Sequence, residues 1–122
     1  MEKIKSFKDL LVWQKAINLS VEVYNITKKF PRNELFGLTS QIRRASNSIA
    51  LNIAEGYGRN TKKSFILYLR HSLGSLNEVE SSLYLAVALS FIIESDAEAA
   101  FAKIKEEGKM LNSLISSLSK SN

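Results

Sequence analysis

The sequence predicts an all-α chain folded as an up-down-up-down four-helix bundle, and three observations carry that prediction. Apolar residues recur at steps of three and four along most of the 122 residues, the spacing that lines one face of a helix. One proline and five glycines punctuate the chain, too few turn residues for a sheet protein of this size. The stretches between the periodic segments are short, so consecutive helices fold back as antiparallel neighbours. The length suits a single domain, 1–122, able to bury about two-thirds of its unfolded surface.

The first helix is predicted over 8–29. Ser6 or Asp9 caps its start, and Leu10, Trp13, Ile17, Val21 and Tyr24 form its apolar seam. Lys28 and Lys29 suit the negative end of the helix dipole, and Pro31 ends the helix because the residue before a proline avoids helical geometry. The second helix is predicted over 33–55, with Asn33 as its cap and Leu35, Leu38, Ile42, Ala45, Ile49 and Ile53 as its seam. Gly56 and Gly58 supply the end and the turn.

The third helix starts at the cap Thr61 and is predicted over 61–90. Its seam, Phe65, Leu69, Ser72, Leu76, Val79, Leu83 and Ala86, alternates in strict heptads. Gly74 lies inside this helix at a cost of about 1 kcal/mol relative to alanine, which a close helix contact would justify. The apolar run at 83–93 is expected to be a buried helix end. The fourth helix, predicted over 96–118 with Ser95 or Asp96 as cap, has the seam Ala97, Phe101, Ile104, Leu111, Ile115 and Leu118.

Several function classes find no residues to carry them. There is no cysteine, hence no disulfide, thiolate metal site or cysteine nucleophile, and a cytoplasmic setting is expected. The N-terminal MEKIKSFKDL lacks the apolar core of a signal peptide, and no apolar run approaches the roughly 20 residues of a membrane span. His71 is the only histidine, so neither an HExxH pair nor an acid-base partner set is available. The acidic clusters around Glu94 and Glu106 lack the glycine-centred loop of a calcium site. Gly56-Tyr57-Gly58 is too short for a phosphate-binding loop. No catalytic residue, metal or cofactor is expected.

The net charge of +5 is unevenly spread. Residues 28–70 hold nine basic side chains against Glu34 and Glu55, while residues 71–122 hold four lysines against seven acids. A basic region of this kind attracts nucleic acid or an acidic protein. The segment Tyr57-Gly58-Arg59-Asn60-Thr61-Lys62-Lys63 concentrates it. This segment is either a solvated turn or a phosphate-contacting tip, in which Arg59, Lys62 and Lys63 act beside a helix N-terminus. Arg43, Arg44 and Arg70 extend that patch if they share its face.

A second stripe, Gln41, Arg44, Ser48, Asn52 and Glu55, runs beside the apolar seam of the second helix. It reads either as a solvated face or as an interface, because its groups are mostly short and neutral. The third helix offers Ser75, Glu78 and Ser82 at matching spacing, and Glu78 and Glu80 are placed to approach Arg43 or Arg44.

These motifs also carry a resemblance. Phe7-x-x-Leu10-x-x-Trp13-x-x-Ala16 is followed by Pro31-x-x-Glu34-Leu35-Phe36-Gly37-Leu38-x-x-Gln41-Ile42-Arg43-Arg44-Ala45. Then come Ser48-Ile49-x-x-Asn52-Ile53-Ala54-Glu55-Gly56 and Tyr68-Leu69-x-x-Ser72-x-Gly74-Ser75-x-x-Glu78-x-Glu80. From Phe7 to Leu118 the chain resembles the bacterial four-helix-bundle proteins encoded within intervening sequences of 23S ribosomal RNA genes. Those are related to the accessory variability protein of diversity-generating retroelements.

The resemblance implies a long antiparallel bundle that assembles into a barrel-like homopentamer. It implies no enzymatic activity. It also implies a basic surface for RNA or DNA and, in the retroelement relative, for a reverse transcriptase. By the same resemblance Gln41, Arg43, Arg44, Asn52, Glu55, Ser75, Glu78 and Glu80 organise the bundle or the subunit interface. His71, where a small or apolar residue is expected, and Ser81-Ser82, in place of a Thr-Gln pair, depart from the pattern.

Overall fold

The computed structural model describes residues 3–120. Among them lie four α-helices and no strand: α1 Leu11–Thr27, α2 Leu38–Tyr57, α3 Lys62–Ala88 and α4 Glu94–Lys120. Short 3-10 turns at Phe7–Asp9 and Arg32–Glu34 precede α1 and α2.

The first two helices start later than their sequence suggests. Ser6 and Asp9 close the separate turn Phe7–Asp9 in a reciprocal capping box, and extended Leu10 separates that turn from α1. Asn33 belongs to the second turn and caps nothing. Instead, Glu34 Oε1 accepts from the Leu38 amide at 3.1 Å, satisfying one of the free donors at the start of α2. Leu35 is consequently exposed rather than part of the seam. Thr61 does cap α3, accepting from the Ser64 amide.

α3 stops at Ala88, two residues short of the expected end. Ser90 takes the left-handed conformation at φ 63°. Its amide bonds Val87 O, and the Phe91 amide bonds Ala86 O, the paired closure that ends many helices. The run at 83–93 is only partly buried: Leu83, Ala86 and Ile92 face the core, whereas Tyr84, Leu85, Leu89 and Ile93 are exposed.

The seams of α2, α3 and α4 form one core, including Ile42, Ile49, Ile53, Leu69, Leu76, Val79, Leu83, Ile104 and Leu111. The seam expected on α1 is not the one that is buried. Val12, Ala16, Leu19, Val23 and Ile26 face the core, while Ile17, Val21 and Tyr24 are exposed. α1 is apolar on two faces, and both stripes step by three and four, so periodicity alone does not choose between them.

Specific contacts fix how the helices lie. Ser20 Oγ donates to Ser46 O, and Thr27 meets Arg43, so the start of α1 lies beside the end of α2. Ser72 Oγ donates to Ile49 O at 2.9 Å, and Gly56 lies against Phe65 and Tyr68. Lys103 pairs with Glu22, and Lys29 with Asp96. Gly56 sits inside the last turn of α2, where a β-carbon would stand 2.7 Å from that of Tyr68. The close approach expected at Gly74 therefore occurs at Gly56, and a β-carbon on Gly74 would meet nothing within 4 Å.

Candidate nucleic-acid interface

The cations of residues 28–70 divide between the two ends of the molecule. Lys28, Lys29 and Arg32 sit where α1 ends, together with Glu34, Glu94, Asp96 and Glu98. Lys29 Nζ lies 2.6 Å from Asp96 Oδ1. That hydrogen bond and a second from the Ile93 amide hold the Asp96 carboxyl below the usual aspartate range. This end is close to charge balance.

The other end is strongly basic. Arg59, Lys62 and Lys63 are exposed on the connection from α2 into the first turn of α3. The turn Phe7–Asp9 packs on α1 and α2 beside the end of α2, which brings exposed Lys3, Lys5 and Lys8 to the same end. Leu10, Leu11 and Val12 line a shallow pocket with Met110, Ser113 and Leu114, and Lys120 lies about 9 Å further along α4. Among the described residues, seven cations thus gather around Asp9 and Glu55. Lys3, Lys5, Lys8 and Lys120 escaped the sequence reading because they are remote from the 57–63 segment. The only signal was the basic character of the N-terminal stretch.

Within this end the groups differ in freedom. The Arg59 guanidinium pairs with Glu55 Oε2 at 3.2 Å, donates to the Tyr68 hydroxyl at 2.7 Å and lies 5.0 Å from the centre of its ring. Arg59 is thereby held flat against the α2–α3 seam. Lys63 projects from the outward side of α3. Arg70, two turns further along, is on that same side and exposed, so it extends the basic surface along the helix.

Arg43 and Arg44 do not join it. Successive helical residues point about 100° apart, so the pair faces two directions. Arg43 Nε donates to Thr27 Oγ1 at 2.8 Å, and its guanidinium lies 4.7 Å from the centre of the Tyr24 ring. It is a half-buried strut between α2 and α1. Arg44 is exposed and lines a groove of about 590 Å³ with Gln41, Ser48, Glu78, Leu85 and Phe36. Phe36 is 94% exposed at the mouth of this groove.

The expected polar interface set is likewise divided. Gln41 and Glu78 share the Arg44 groove, where Glu78 makes no ion pair with Arg44. Asn52 Nδ2 donates to Ser48 O along α2, and Glu55 holds Arg59. Ser75 is half-buried. Glu80 faces α4, in a hollow shared with Lys105 and Lys109, and is remote from both arginines. His71 is exposed, its ring 5.5 Å from that of Tyr68. Among the described residues no group of three or more potential metal ligands comes together. No helix there is long and apolar enough to cross a membrane.

No curated protein matches the chain. A solved structure from Bacteroides thetaiotaomicron, described as a protein with unknown function from the S23 ribosomal protein family, superposes with a TM-score of 0.80 at 28% identity. The match covers 87% of this chain and 96% of that one. The family model for the 23S rRNA-intervening sequence protein matches residues 8–113, and with that match added to the shared fold the chain belongs to the 23S rRNA-intervening sequence protein family.

Proposed function

We propose that this chain is a non-enzymatic, cytoplasmic, oligomeric module that binds RNA or DNA electrostatically through its basic end. The gathering of Lys3, Lys5, Lys8, Arg59, Lys62, Lys63 and Lys120 from three separate parts of the sequence carries the reading. Cations so placed bind phosphates and release counterions, and repetition of the end in an oligomer multiplies the effect. Sequence is not read by the tip of this surface. Arg59 is tied to Tyr68 and Glu55, and the lysines are point charges without the fork geometry that recognises a base edge.

The assembly we propose is a homopentamer of up-down-up-down bundles, as the resemblance implies. Two outward faces support self-association. One is the stripe Ile17, Val21 and Tyr24 on α1, with exposed Leu51 of α2 one turn beyond Asn47, which donates to the Tyr24 hydroxyl. The other, on the outward side of α3, carries Leu67, Gly74 and Leu85. Gly74 weakens its helix and has no packing role within the subunit, which suits a helix of another copy crossing there.

A second reading is a scaffold for an acidic protein, such as the reverse transcriptase with which the retroelement relative is associated. The exposed Phe36 at the mouth of the Arg44 groove favours it, since a lone large ring in solvent suits a protein contact more than a phosphate backbone.

Anisotropy titrations against labelled single-stranded RNA, duplex RNA and duplex DNA, across a salt series and on protein of measured mass, separate these readings. Saturable binding whose log affinity falls steeply with log salt is expected. Lys62→Glu with Lys63→Glu should lower both the affinity and the slope, with circular dichroism unchanged. Absence of binding at low salt overturns the nucleic-acid reading in favour of the scaffold.

A further inference from the structure

α4 presents Ala97, Ala100, Ile104, Glu107, Leu111 and Ile115 to the interior. Glu107 is the exception among them, a carboxylic acid 1% exposed. Neither of its oxygens has a hydrogen-bond donor. Ile104 precedes it by three residues and Leu111 follows by four, so all three share the core face of the helix. Burial of a carboxylate without donors is among the most costly arrangements a core can hold, whereas the neutral acid is tolerated far better.

The surroundings offer the anion little relief. Two ion pairs bridge α1 and α4 near the surface of the seam, Lys103 with Glu22 at 2.8 Å and Lys15 with Glu106 at 3.6 Å. Of these charges, Lys15 from α1 attracts the ionised Glu107 and Glu106 from its own helix repels it. α2 and α3 contribute only apolar and hydroxyl side chains and a glycine to the interior. Burial, reinforced by Glu106 and partly opposed by Lys15, pushes the Glu107 carboxyl up to about 8.

We propose that Glu107 is a proton-operated latch on the α1–α4 seam, which closes around the neutral acid and opens when the proton is lost. The seam, rather than the whole bundle, is the part that yields. α2 and α3 interlock through the Gly56 approach and the Ser72 to Ile49 hydrogen bond. α4 is tied to α1 by the two surface ion pairs, by Lys29 with Asp96 just past the end of α1, and by half-buried Met110 and Leu114 against Leu10, Leu11 and Val12. Gly108, adjacent to the latch, gives α4 a weak point in its helix.

The direction of the pH response follows from proton counting. In the opened seam the carboxyl returns to water and to its ordinary value of 4.5. Between about pH 5 and pH 8 the open form therefore holds one proton fewer than the closed form. Each unit of pH in that window favours opening by about tenfold. Above about 8 both forms are ionised and the dependence levels off.

Hydrogen–deuterium exchange on the full chain, corrected for the intrinsic pH dependence of amide exchange, tests the latch between pH 5 and 8.5. The opening constants of amides in α1 and α4 should rise by close to tenfold per pH unit and level off near pH 8, with those of α2 and α3 unchanged. Glu107→Gln should remove the dependence. Because a buried amide can itself disturb packing, Glu107→Leu is measured beside it and should be equally flat. A carbon-13 titration of the Glu107 carboxyl in the unsubstituted protein reads its protonation directly. Exchange in α1 and α4 that ignores pH, a rise that survives both substitutions, or a rise shared by all four helices overturns the proposal.

Discussion

Gly56 of α2 lies so close to Tyr68 of α3 that a β-carbon on the glycine would stand 2.7 Å from the tyrosine's own. It would also lie 3.0 Å from Phe65 Cδ1 and 3.3 Å from the Phe65 carbonyl oxygen. None of these is the tip of a flexible side chain, so the helices must separate to admit a methyl group. Alanine gains about 1 kcal/mol of helix propensity over glycine, but overpacking of a tight contact costs about 1–3 kcal/mol. Gly56→Ala should therefore lose about 1 kcal/mol, seen as a lower urea midpoint at unchanged slope. A midpoint that rises would show that α2 and α3 part without cost.

Gly74 gives the opposite expectation. A β-carbon there meets nothing within 4 Å, so Gly74→Ala should stabilise the isolated subunit by about 1 kcal/mol. If another copy crosses α3 at this point, the same methyl group obstructs it. Thermal unfolding combined with mass measurement by light scattering distinguishes the two effects. A higher melting temperature together with a smaller oligomer is expected. A higher melting temperature at unchanged mass would remove the outward face of α3 from the assembly.

Ser90 holds a left-handed backbone at φ 63° that glycine adopts without steric cost. The conformation is required because its amide and that of Phe91 close the last turn of α3 onto Val87 and Ala86. A non-glycine residue in this region costs about 1–2 kcal/mol, offset in part by the greater freedom of glycine in the unfolded chain. Ser90→Gly should raise stability by about 0.5–1 kcal/mol in urea unfolding. A loss would mean that the serine side chain contributes more than its backbone conformation costs.

The helices and most of the core were legible because their causes are local. Seams on α2, α3 and α4 follow directly from three-four spacing on helices with one apolar face. α1 defeated the same reasoning since Leu19 and Val21 belong to two equally regular stripes, and only contact with α2 and α4 selects the first. Gly56 and Gly74 were interchanged for a related reason: a mid-helix glycine signals close approach only if a neighbour is present. Lys62 and Lys63 lie where their sequence places them. The partners that make their end basic, Lys3, Lys5, Lys8 and Lys120, are assembled by the fold. In the sequence Glu107 is one of an acidic cluster with Glu106, yet it follows Ile104 by three residues and precedes Leu111 by four, both core positions.

Arg43 and Arg44 are adjacent in the sequence yet should behave as different kinds of residue. Arg43 donates at 2.8 Å to the Thr27 hydroxyl, which itself donates to Val23 O, and it stacks on Tyr24. A hydrogen bond from a charged donor contributes about 1.5–3 kcal/mol and an exposed cation–π contact about 0.5–1 kcal/mol, and much of this is lost in Arg43→Ala. A net destabilisation of about 2 kcal/mol is expected. Arg43→Lys should recover little of it, because an ammonium lacks the planar group that stacks and donates at once. Arg44→Ala removes an exposed side chain from a groove wall and should change stability by less than about 0.5 kcal/mol. Its effect should appear in subunit mass or partner affinity. Equilibrium unfolding of the three variants beside light scattering decides the matter, and equal destabilisation by Arg43→Ala and Arg44→Ala would sink the distinction between strut and surface.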